Sequence, residues 1–509
     1  MFLNRKKVEE RGYQSEIFEN SKEKNTLVVL PTGLGKTMIS ALLADYRLTK
    51  YPDSRVLFLA PTKPLVNQHH KTFSGIMVID SVSVSGEMDK SRRAETYTSY
   101  RLIFATPQTI ENDIDNGAID FSDFSLLVVD EAHHAIGNYA YVKIAHEFSE
   151  HARNPLVLAL TASPASDREK INAICKNLNI DNIEIRGEDD PDVTQYVKTK
   201  VVEEIRLKLD DKFNGMISSL KNEINGQIAS LQAGGLLKNT PASRINRVSI
   251  LLLQKSLQRQ MFAGNKSFYA IRGIIGTSKL LKLYHALNLL STQSLEGFNK
   301  FISKIINEGK SKTDKELAKS PNILGLYTTS SELLEQGVEH PKINTLINIL
   351  EKNFDPEQKA IIFTQYRDTV DVIYKKLKSM KGINCVKFVG QGKKGLSQKE
   401  QINIIKDFEA GVYNVLISTS VSEEGMSIRG VDLAIFYETV PSAIRSIQRR
   451  GRVGRFNAGK IFILITEGTN DEGYYWVSKR KETRMKKLIK NIKENPSSLR
   501  QDGTLGPFT

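Results

Sequence analysis

An apolar run at residues 26–30 leads into a glycine-rich turn at residues 31–35, and a helical pattern opens at Lys36. This order predicts a phosphate-binding loop, because N–H groups of such a loop and of the helix N-terminus point at phosphate oxygens. Lys36 would reach the β- and γ-phosphates of a nucleotide, and the Thr37 hydroxyl would ligate Mg²⁺. Leu30 stands where the strict motif has glycine. The other residues expected around the phosphates are Pro31, Thr32, Gly33, Leu34 and Gly35.

The first 200 residues alternate short apolar runs with helical patterns. Runs that are apolar throughout are typical of strands buried on both faces of a parallel sheet. Each run ends in a small, polar or charged cluster, and in open α/β sheets ligands bind outside the carboxyl ends of the strands. We therefore expect these clusters to converge on one edge. The predicted strands are residues 26–30, 56–60, 102–105, 126–129 and 156–160.

A different pattern begins after about residue 200. Apolar residues recur at helical spacing through residues 203–335, with breaks expected at the pair Gly234 and Gly235 and in a loop over residues 309–320. Alternating runs then resume and predict a second α/β sheet, which has no phosphate-binding loop of its own. Its predicted strands are residues 360–364, 385–389, 415–418, 433–437 and 461–465.

The positive charge of the chain is concentrated in the helical part. The formal net charge is +14, and no Asp or Glu occurs between Glu223 and Glu296. A solvated helical face normally carries charges of both signs, so the loss of one sign favours a surface that faces phosphates. The basic residues in this stretch are Lys238, Arg244, Arg247, Lys255, Arg259, Lys266, Arg272, Lys279 and Lys282.

The remaining composition bears on the cellular setting. The two cysteines, Cys175 and Cys385, lie far apart and give neither a disulfide framework nor a metal-ligand spacing, which favours a reducing, intracellular compartment. The chain shows no signal peptide and no run long enough to span a membrane, so no membrane partner is expected.

An acidic pair follows the fourth predicted strand, within residues 128–134. At the end of a strand in the same sheet as a phosphate-binding loop, Asp130 is placed to hold Mg²⁺. Glu131 would lie where a water attacks the γ-phosphate and suits a general base. The alternative is a surface acidic pair that caps a helix.

A second polar run, residues 446–455, holds four arginines and two glycines. By itself it could be a basic patch for nucleic acid. Combined with a phosphate-binding loop elsewhere in the chain, it predicts arginine fingers, which delocalise the charge that develops on the γ-phosphoryl oxygens.

Taken in chain order, these segments resemble the motifs of superfamily 2 helicases and translocases. Residues 11–14 resemble the adenine-reading Q motif, 36–37 belong to motif I, 60–68 resemble motif Ia and 105–109 motif Ib. Motif II, in its DEAH form, is residues 130–133, and motif III is 161–163. Residues 363–367, 418–425 and 448–455 resemble motifs IV, V and VI.

Residues 388–392, 395–401 and 436–450 are similar to the archaeal Hef helicases, relatives of the Fanconi anaemia group M proteins. The resemblance implies an α/β fold with two RecA-like parallel-sheet domains and an all-helical domain inserted between them. The expected boundaries are 1–202 for the first RecA-like domain, 203–335 for the insert, 336–485 for the second, and 486–509 for a basic helical tail with a flexible end.

The same resemblance implies a function. It is ATP-driven, 3′-to-5′ remodelling of branched DNA such as stalled forks and four-way junctions, in the cytoplasm or nucleoid of an archaeon, together with repair or replication proteins. ATP and Mg²⁺ would bind between the two sheets. The expected nucleotide contacts outside the loop are Arg11, Gln14, Asp130, Gly425 and Ser427, with Gln448, Arg452 and Arg455 from motif VI.

Contacts to the DNA backbone are expected at the strand ends and on the helical insert. Hydroxyl, amide and ammonium groups there would position the strand without reading its sequence. The candidates are Thr62, Lys63, Thr106, Gln108, Thr364, Gln365 and Thr419 on the sheets, and Arg244, Arg247, Lys255 and Arg259 on the insert.

The chain departs from the Hef pattern in two respects. The family usually has Asp at the position of Ser427, where it accepts a hydrogen bond from the ribose, and an uncharged serine makes a weaker contact. Many Hef proteins also carry an XPF-type nuclease domain with an Asp/Glu-Arg-Lys active site. No such run follows motif VI here, so we expect that this chain does not cut DNA.

Three alternatives stay open at this level. Related enzymes with a helical insert act on double-stranded RNA. A clamp that binds nucleic acid and uses ATP only as a switch would need no hydrolysis, although Glu131 and both motif VI arginines are present. His133 and His134 could ligate a metal, but no third ligand is near them in sequence, and coupling of hydrolysis to motif III is the better role for His133.

Overall fold

The computed structural model describes residues 2–163, 167–197, 200–263, 267–390, 395–419, 428, 430–442 and 459–494. Its first domain is a seven-stranded parallel sheet in the order β3-β4-β2-β5-β6-β1-β7. The strands are β1 (Thr26–Val29), β2 (Arg55–Leu59), β3 (Ser81–Val84), β4 (Leu102–Ala105), β5 (Phe124–Val129), β6 (Val157–Thr161) and β7 (Asn182–Ile185). The helices are α1 (Gly12–Ser21), α2 (Lys36–Lys50), α3 (Lys63–Ile76), α4 (Lys90–Ser99), α5 (Pro107–Asp115), α6 (Ala140–His151), α7 (Arg168–Asn177) and α8 (Pro191–Thr194).

All five strands predicted for this domain are present, and the two outermost strands were missed. β3 and β7 lie at opposite edges of the sheet, and each has one buried residue among its four. A search for wholly apolar runs finds strands buried on both faces, so half-exposed edge strands escape it.

The second domain is a six-stranded parallel sheet in the order β10-β11-β9-β12-β13-β8. Its strands are β8 (Lys200–Leu207), β9 (Ala360–Phe363), β10 (Cys385–Phe388), β11 (Val415–Ser418), β12 (Leu433–Phe436) and β13 (Gly459–Thr466). Its first three helices are α15 (Pro341–Asn353), α16 (Arg367–Leu377) and α17 (Gln398–Glu409).

The predicted boundary between residues 202 and 203 is wrong, because it falls inside β8. This strand precedes the helical insert in sequence yet pairs with β13, with Lys200 opposite Gly459. Most of its side chains are exposed, so no apolar run marks it. The second sheet is therefore built from both sides of the insert.

Between β8 and α15 lies a helical bundle. Its elements are α9 (Asp211–Ala233), α10 (Arg247–Phe262), α11 (Phe268–Asn288), a π-helical turn (Leu289–Gln293), α12 (Leu295–Glu308), α13 (Lys312–Leu317) and α14 (Pro321–Glu335). The predicted break at Gly234 is confirmed, since α9 ends there. The loop expected over residues 309–320 contains α13, a short helix capped by the Ser311 hydroxyl, which accepts from the Asp314 N–H.

A long C-terminal helix, α18 (Asn470–Glu494), connects the two motor domains. Ile492 is buried in the core of the first domain, and Lys493 forms a salt bridge to Asp190 at 2.8 Å.

The domain boundary expected between residues 485 and 486 falls within α18 and is wrong. Residues 495–509, the predicted flexible end, lie outside the described residues. None of the helices described is both long and apolar enough for a membrane span.

Candidate nucleotide and nucleic-acid sites

The glycine-rich loop lies between β1 and α2, as the sequence predicts. Gly33 and Gly35 adopt φ angles of 87° and 83°, in the left-handed region that glycine enters without steric cost. Lys36 is the first residue of α2, and its Nζ donates to the Leu30 carbonyl at 3.1 Å. The ammonium group therefore lies across the loop.

Residues of the predicted Q motif form hydrogen bonds to this loop. Gln14 Nε2 and the Tyr13 hydroxyl both donate to the Leu34 carbonyl, at 3.1 and 2.6 Å. Gln14 Oε1 accepts from the Arg11 N–H at 3.1 Å, and the Arg11 guanidinium stacks over the Tyr196 ring. Gln14 is buried with both polar ends engaged. In this conformation it fixes the loop, and the base-reading role implied by the resemblance stays a prediction.

The conformation of Gly35 gives a direct test of this packing. A Cβ at Gly35 would lie 2.3 Å from Gln14 Nε2, on a backbone that disfavours any side chain. We expect Gly35→Ala to reduce nucleotide affinity by at least about tenfold, since left-handed strain alone costs about 1–2 kcal/mol. Gly12→Ala is the matched control, because its Cβ would meet nothing within 4 Å. Equal nucleotide affinity of the two variants, measured by titration, would contradict the assignment.

A histidine that the sequence analysis overlooked links the two expected Mg²⁺ ligands. His69 on α3 is buried, with Nε2 2.9 Å from Asp130 Oδ2 and Nδ1 3.4 Å from Thr37 Oγ1. Its ring lies 4.5 Å from that of Phe58. A carboxylate only accepts hydrogen bonds, so Nε2 donates to Asp130, and Nδ1 is left to accept from Thr37. His69 directly follows the segment assigned to motif Ia, and only its position in space shows this role.

The donor set at this point fits Mg²⁺. A carboxylate and a hydroxyl are hard oxygen ligands, and Mg²⁺ in nucleotide sites is typically held by one or two such groups together with waters and phosphates. Asp130 and Thr37 would hold the ion, and when bound it would neutralise charge on the β- and γ-phosphates. His69 orients both residues.

We expect His69→Ala to raise the Mg²⁺ concentration needed for half-maximal ATPase activity by about 10- to 100-fold, the usual effect of removing an outer partner of metal ligands. His70→Ala is the control, since His70 is the next residue on α3 but contacts the Ser81 carbonyl. Binding of Mg²⁺-nucleotide, followed by fluorescence, gives a readout separate from turnover. An unchanged Mg²⁺ requirement would remove His69 from this role.

Glu131 has the geometry of a strained site residue. Its φ of 50° is uncommon for a residue other than glycine, and such conformations cluster at active sites. Burial would raise the pKa of its carboxyl, but the hydrogen bond from His133 and the charge of Lys36 outweigh burial and lower the pKa to about 2. Glu131 is therefore ionised at neutral pH. The negative charge of a nucleotide triphosphate would shift its pKa upwards, towards the range of a useful base.

His133 connects motif II to motif III. Its Nδ1 lies 3.3 Å from Glu131 Oε2 and 3.2 Å from Thr161 Oγ1 at the end of β6. This is the contact that coupling to motif III requires. The ring of His134 stacks on Tyr139 at 5.3 Å, which gives it a packing role.

Five predicted site residues lie outside the described residues. They belong to motifs V and VI and are Gly425, Ser427, Gln448, Arg452 and Arg455. The strands that flank these segments, β11, β12 and β13, are neighbours of β9 or of one another in the second sheet.

The strand-end residues expected to contact DNA are brought together in pairs. Thr62 and Thr106 follow the adjacent strands β2 and β4, and each precedes the first turn of a helix. Gln108 is exposed, and Lys63 pairs with Glu87 at 2.6 Å. Positions 62, 63, 106 and 108 therefore form one group on the first domain.

The second group is less accessible. Thr364 follows β9 and is fully buried, with its hydroxyl 3.2 Å from Glu438 Oε2. Thr419 follows the adjacent strand β11 and is also buried, whereas Gln365 is exposed. In this conformation Gln365 is the member of the group that presents its side chain to a ligand.

The basic face of the insert is smaller than the sequence implied. Arg244, Arg247, Lys255 and Arg259 are exposed, as expected of phosphate contacts. Lys279 and Lys282 instead form salt bridges to α13, with Glu316 and Asp314 respectively. These acids lie outside the acid-free stretch in sequence, so the sequence pattern could not reveal the pairing.

Three known families match successive parts of the chain. Residues 7–166 match the type III restriction enzyme res subunit, 341–457 the helicase conserved C-terminal domain, and 214–325 a family described as "Putative ATP-dependent RNA helicase, helical bundle". The last match covers most of the helical bundle between the two sheets.

Among solved structures, the chain is similar to the Hef helicase domain of Pyrococcus furiosus. The TM-score is 0.71 and the identity 41%, with 94% of this chain and all of the Hef domain covered. The two sheets and the helical bundle between them are thus those of a Hef helicase domain.

Curated relatives extend the comparison. A protein of Methanocaldococcus jannaschii named "Putative ATP-dependent RNA helicase" is 39% identical over 96% of this chain. The Fanconi anemia group M protein homolog of Mus musculus is 32% identical over 96%, and the ATP-dependent DNA helicase fml1 of Schizosaccharomyces pombe 33% over 91%. The chain spans 61%, 26% and 57% of these proteins respectively. By its sheets, its helical insert and its similarity to the whole Hef helicase domain, this chain belongs to the Hef and Fanconi anemia group M family of superfamily 2 helicases.

Proposed function

We propose that this chain hydrolyses ATP to move along DNA in the 3′-to-5′ direction and so remodels branched DNA, such as stalled forks and four-way junctions. The observation that carries the proposal is that Lys36, Thr37, Asp130 and Glu131 lie together beside the glycine-rich loop, in a chain that aligns with a complete Hef helicase domain. The name of the Schizosaccharomyces pombe relative, ATP-dependent DNA helicase fml1, supports DNA as the track.

In the proposed cycle, ATP and Mg²⁺ bind to the loop of the first domain. Lys36 neutralises the terminal phosphates, and Glu131 accepts the proton of the attacking water. Gln448, Arg452 and Arg455 approach from the second domain and stabilise the charge of the transition state. ATP therefore makes more contacts in the closed arrangement, and its hydrolysis releases them.

DNA lies on the strand-end residues of both sheets, and the insert grips a further arm. The contacts are to the backbone, so little base specificity and a strong salt dependence are expected. The setting we propose is the interior of an archaeal cell, with repair or replication proteins as partners. Double-stranded RNA is the second candidate track, and the name of the Methanocaldococcus relative supports RNA.

The test is stimulation of ATPase activity by matched substrates of equal length. A DNA fork, a four-way DNA junction, a linear DNA duplex and an RNA fork of the same sequence are compared at one salt concentration. The proposal expects the DNA fork and junction to stimulate most. A greater effect of the RNA fork would assign the chain to RNA.

The exposed basic surface of α10 and of the residues just before it can be tested by charge reversal. Each phosphate contact removed lowers the slope of log affinity against log salt by about one unit. Changing Arg244, Arg247, Lys255 and Arg259 together to Glu should spare basal ATPase activity and abolish preference for a fork over linear duplex. Competitive binding at several salt concentrations measures both effects.

A matched control reverses four exposed lysines elsewhere on the bundle, Lys304, Lys310, Lys312 and Lys315. This variant has the same net charge change, on a face where acids such as Glu308 and Glu316 are interspersed. We expect it to retain fork preference. Loss of preference in both variants would show that only total charge matters, and retention in both would make the α10 surface a solvated face.

A further inference from the structure

Two phenylalanines are exposed on the α10–α11 hairpin, one where α10 ends and one where α11 begins. Phe262, the last residue of α10, is 92% exposed, and Phe268, the first residue of α11, is 80% exposed. Tyr269 and Ile271 beside them are about half as exposed, and the outer face of α10 adds Leu252 at 63%. Four of these side chains lie where α10 ends and α11 begins, and large exposed apolar residues grouped in this way mark a site of interaction.

This exposure does not come from loose packing. A Cβ at Gly273 would lie 2.7 Å from the Leu257 side chain, and one at Gly276 would lie 2.6 Å from Leu231. These glycines let α11 approach α10 and α9 closely. The Tyr269 hydroxyl also donates to the Gly235 carbonyl at 2.8 Å and ties the hairpin end to the chain that leaves α9. The α10–α11 hairpin is therefore well packed, and it carries exposed aromatic side chains where α10 ends and α11 begins.

Cations lie on the same helix faces as the rings. Arg259 precedes Phe262 by three residues and Arg272 follows Phe268 by four, so each arginine is one turn from a ring and on the same side. Lys255 lies one further turn along α10. None of these three cations forms a salt bridge to an acid within the described parts of the chain, and no acid occurs from residue 224 to 295.

The positive charge of this surface indicates what kind of partner binds there. A second copy of the chain would bring like charges together across the contact, which is unfavourable. A nucleic acid offers both features that the surface lacks: phosphates for the arginines, and base faces on which aromatic rings stack. In an intact linear duplex every internal base is already stacked on both sides, whereas a branch point leaves base faces open.

The insert is also attached to the second motor domain. Asn288 Nδ2 donates to the Tyr366 hydroxyl at 2.8 Å, and the Thr369 hydroxyl donates to Gln293 Oε1 at 3.0 Å. The Tyr437 hydroxyl donates to the Gln293 carbonyl. The π-helical turn that ends α11 is thus fixed to the residues that follow β9 and β12, so the hairpin is carried by the domain that holds motif VI.

We propose that Phe262 and Phe268 form a wedge that stacks on the open base faces at the branch point of fork DNA, while Arg259 and Arg272 hold the adjoining phosphates. This inference rests on the proposed function, because it assumes that forks are substrates. It adds the element that recognises the branch itself, next to the basic surface that binds the arms and with Arg259 common to both. The wedge acts by stacking, so any base at the branch point is accepted.

The test uses two DNA forks that carry 2-aminopurine, one at the branch point and one within an arm. Stacking of a ring on this base changes its fluorescence. With the unaltered protein, a change is expected at the branch point and not in the arm. The double variant Phe262→Ala, Phe268→Ala should abolish that change and weaken fork binding by at least about tenfold, with linear-duplex binding unaltered.

Two further variants separate stacking from general apolar contact and from misfolding. Replacing both phenylalanines with Trp should restore the signal, whereas replacing both with Leu should not. Leu324→Ala, at a residue 42% exposed on α14, is the control for loss of an apolar side chain from the same bundle. A double alanine variant that keeps both the fluorescence change and its fork affinity would overturn the proposal.

Failure of the proposed function would be seen separately. If the unaltered protein does not prefer a fork to linear duplex, branched DNA is not its substrate, whatever the variants do. If the protein prefers forks but the branch-point base gives no fluorescence change, the proposed function stands and the aromatic wedge is excluded. The exposed rings would then serve a protein partner.

Discussion

Alanine at Arg452 or at Arg455 should lower kcat by about 10³–10⁵-fold, the range that an arginine finger contributes to phosphoryl transfer. The guanidinium groups stabilise charge that exists mainly in the transition state, so ground-state binding of ATP and DNA should change little. Steady-state ATPase kinetics with saturating fork DNA, together with fork binding without nucleotide, measure the two effects.

The control is Arg484→Ala. It removes an exposed basic side chain of α18 that has no role in the proposed cycle. This variant should retain turnover. If Arg452→Ala or Arg455→Ala instead lost DNA affinity and kept its turnover, motif VI would be a DNA-binding patch. The closure of the two domains around ATP would then have no chemical basis.

Glu131→Gln should lower the rate of ATP hydrolysis by about 10²–10⁴-fold, the usual contribution of a general base. The amide keeps the size of the side chain and can still contact His133, but it cannot accept the proton of the attacking water. Lys36 and Asp130 are intact, so Mg²⁺-ATP should bind with near-normal affinity.

Lys36→Ala separates the two functions of the site. Loss of the ammonium group should weaken nucleotide binding as well as turnover, because Lys36 is expected to contact the phosphates in the ground state. Single-turnover hydrolysis and equilibrium nucleotide binding, measured on both variants, distinguish these outcomes. Near-normal turnover of Glu131→Gln would remove that residue from the role of base.

The sequence predicted what depends on local pattern. Every buried strand was predicted because burial on both faces requires a wholly apolar run, and the phosphate-binding loop because glycines at 33 and 35 must adopt positive φ angles. The juxtaposition of Asp130 with Thr37 also followed, since Asp130 directly follows β5 and Thr37 lies on the helix that opens after the loop of β1, at the same edge of one parallel sheet.

Features that depend on distant partners were not predicted. The strand β8 belongs to the second sheet only because it pairs with β13, some 250 residues later, and its exposed side chains carry no signal. His69 serves the nucleotide site because α3 packs its ring onto Phe58 beside Asp130. Lys282 is paired with Asp314 across the bundle. Ile492, in the last turn of α18, is buried in the core of the first domain, which a basic helical tail does not suggest.

We propose that ATP hydrolysis by this chain drives the movement of DNA strands. This proposal is tested most directly by incubating a labelled DNA fork and a four-way junction with the protein and resolving the products under native conditions. We expect conversion with ATP and Mg²⁺, none with a non-hydrolysable ATP analogue, and none with Glu131→Gln. Conversion that proceeds equally with the analogue, or fork-stimulated ATPase activity without any strand movement, would contradict the account and leave an ATP-dependent clamp.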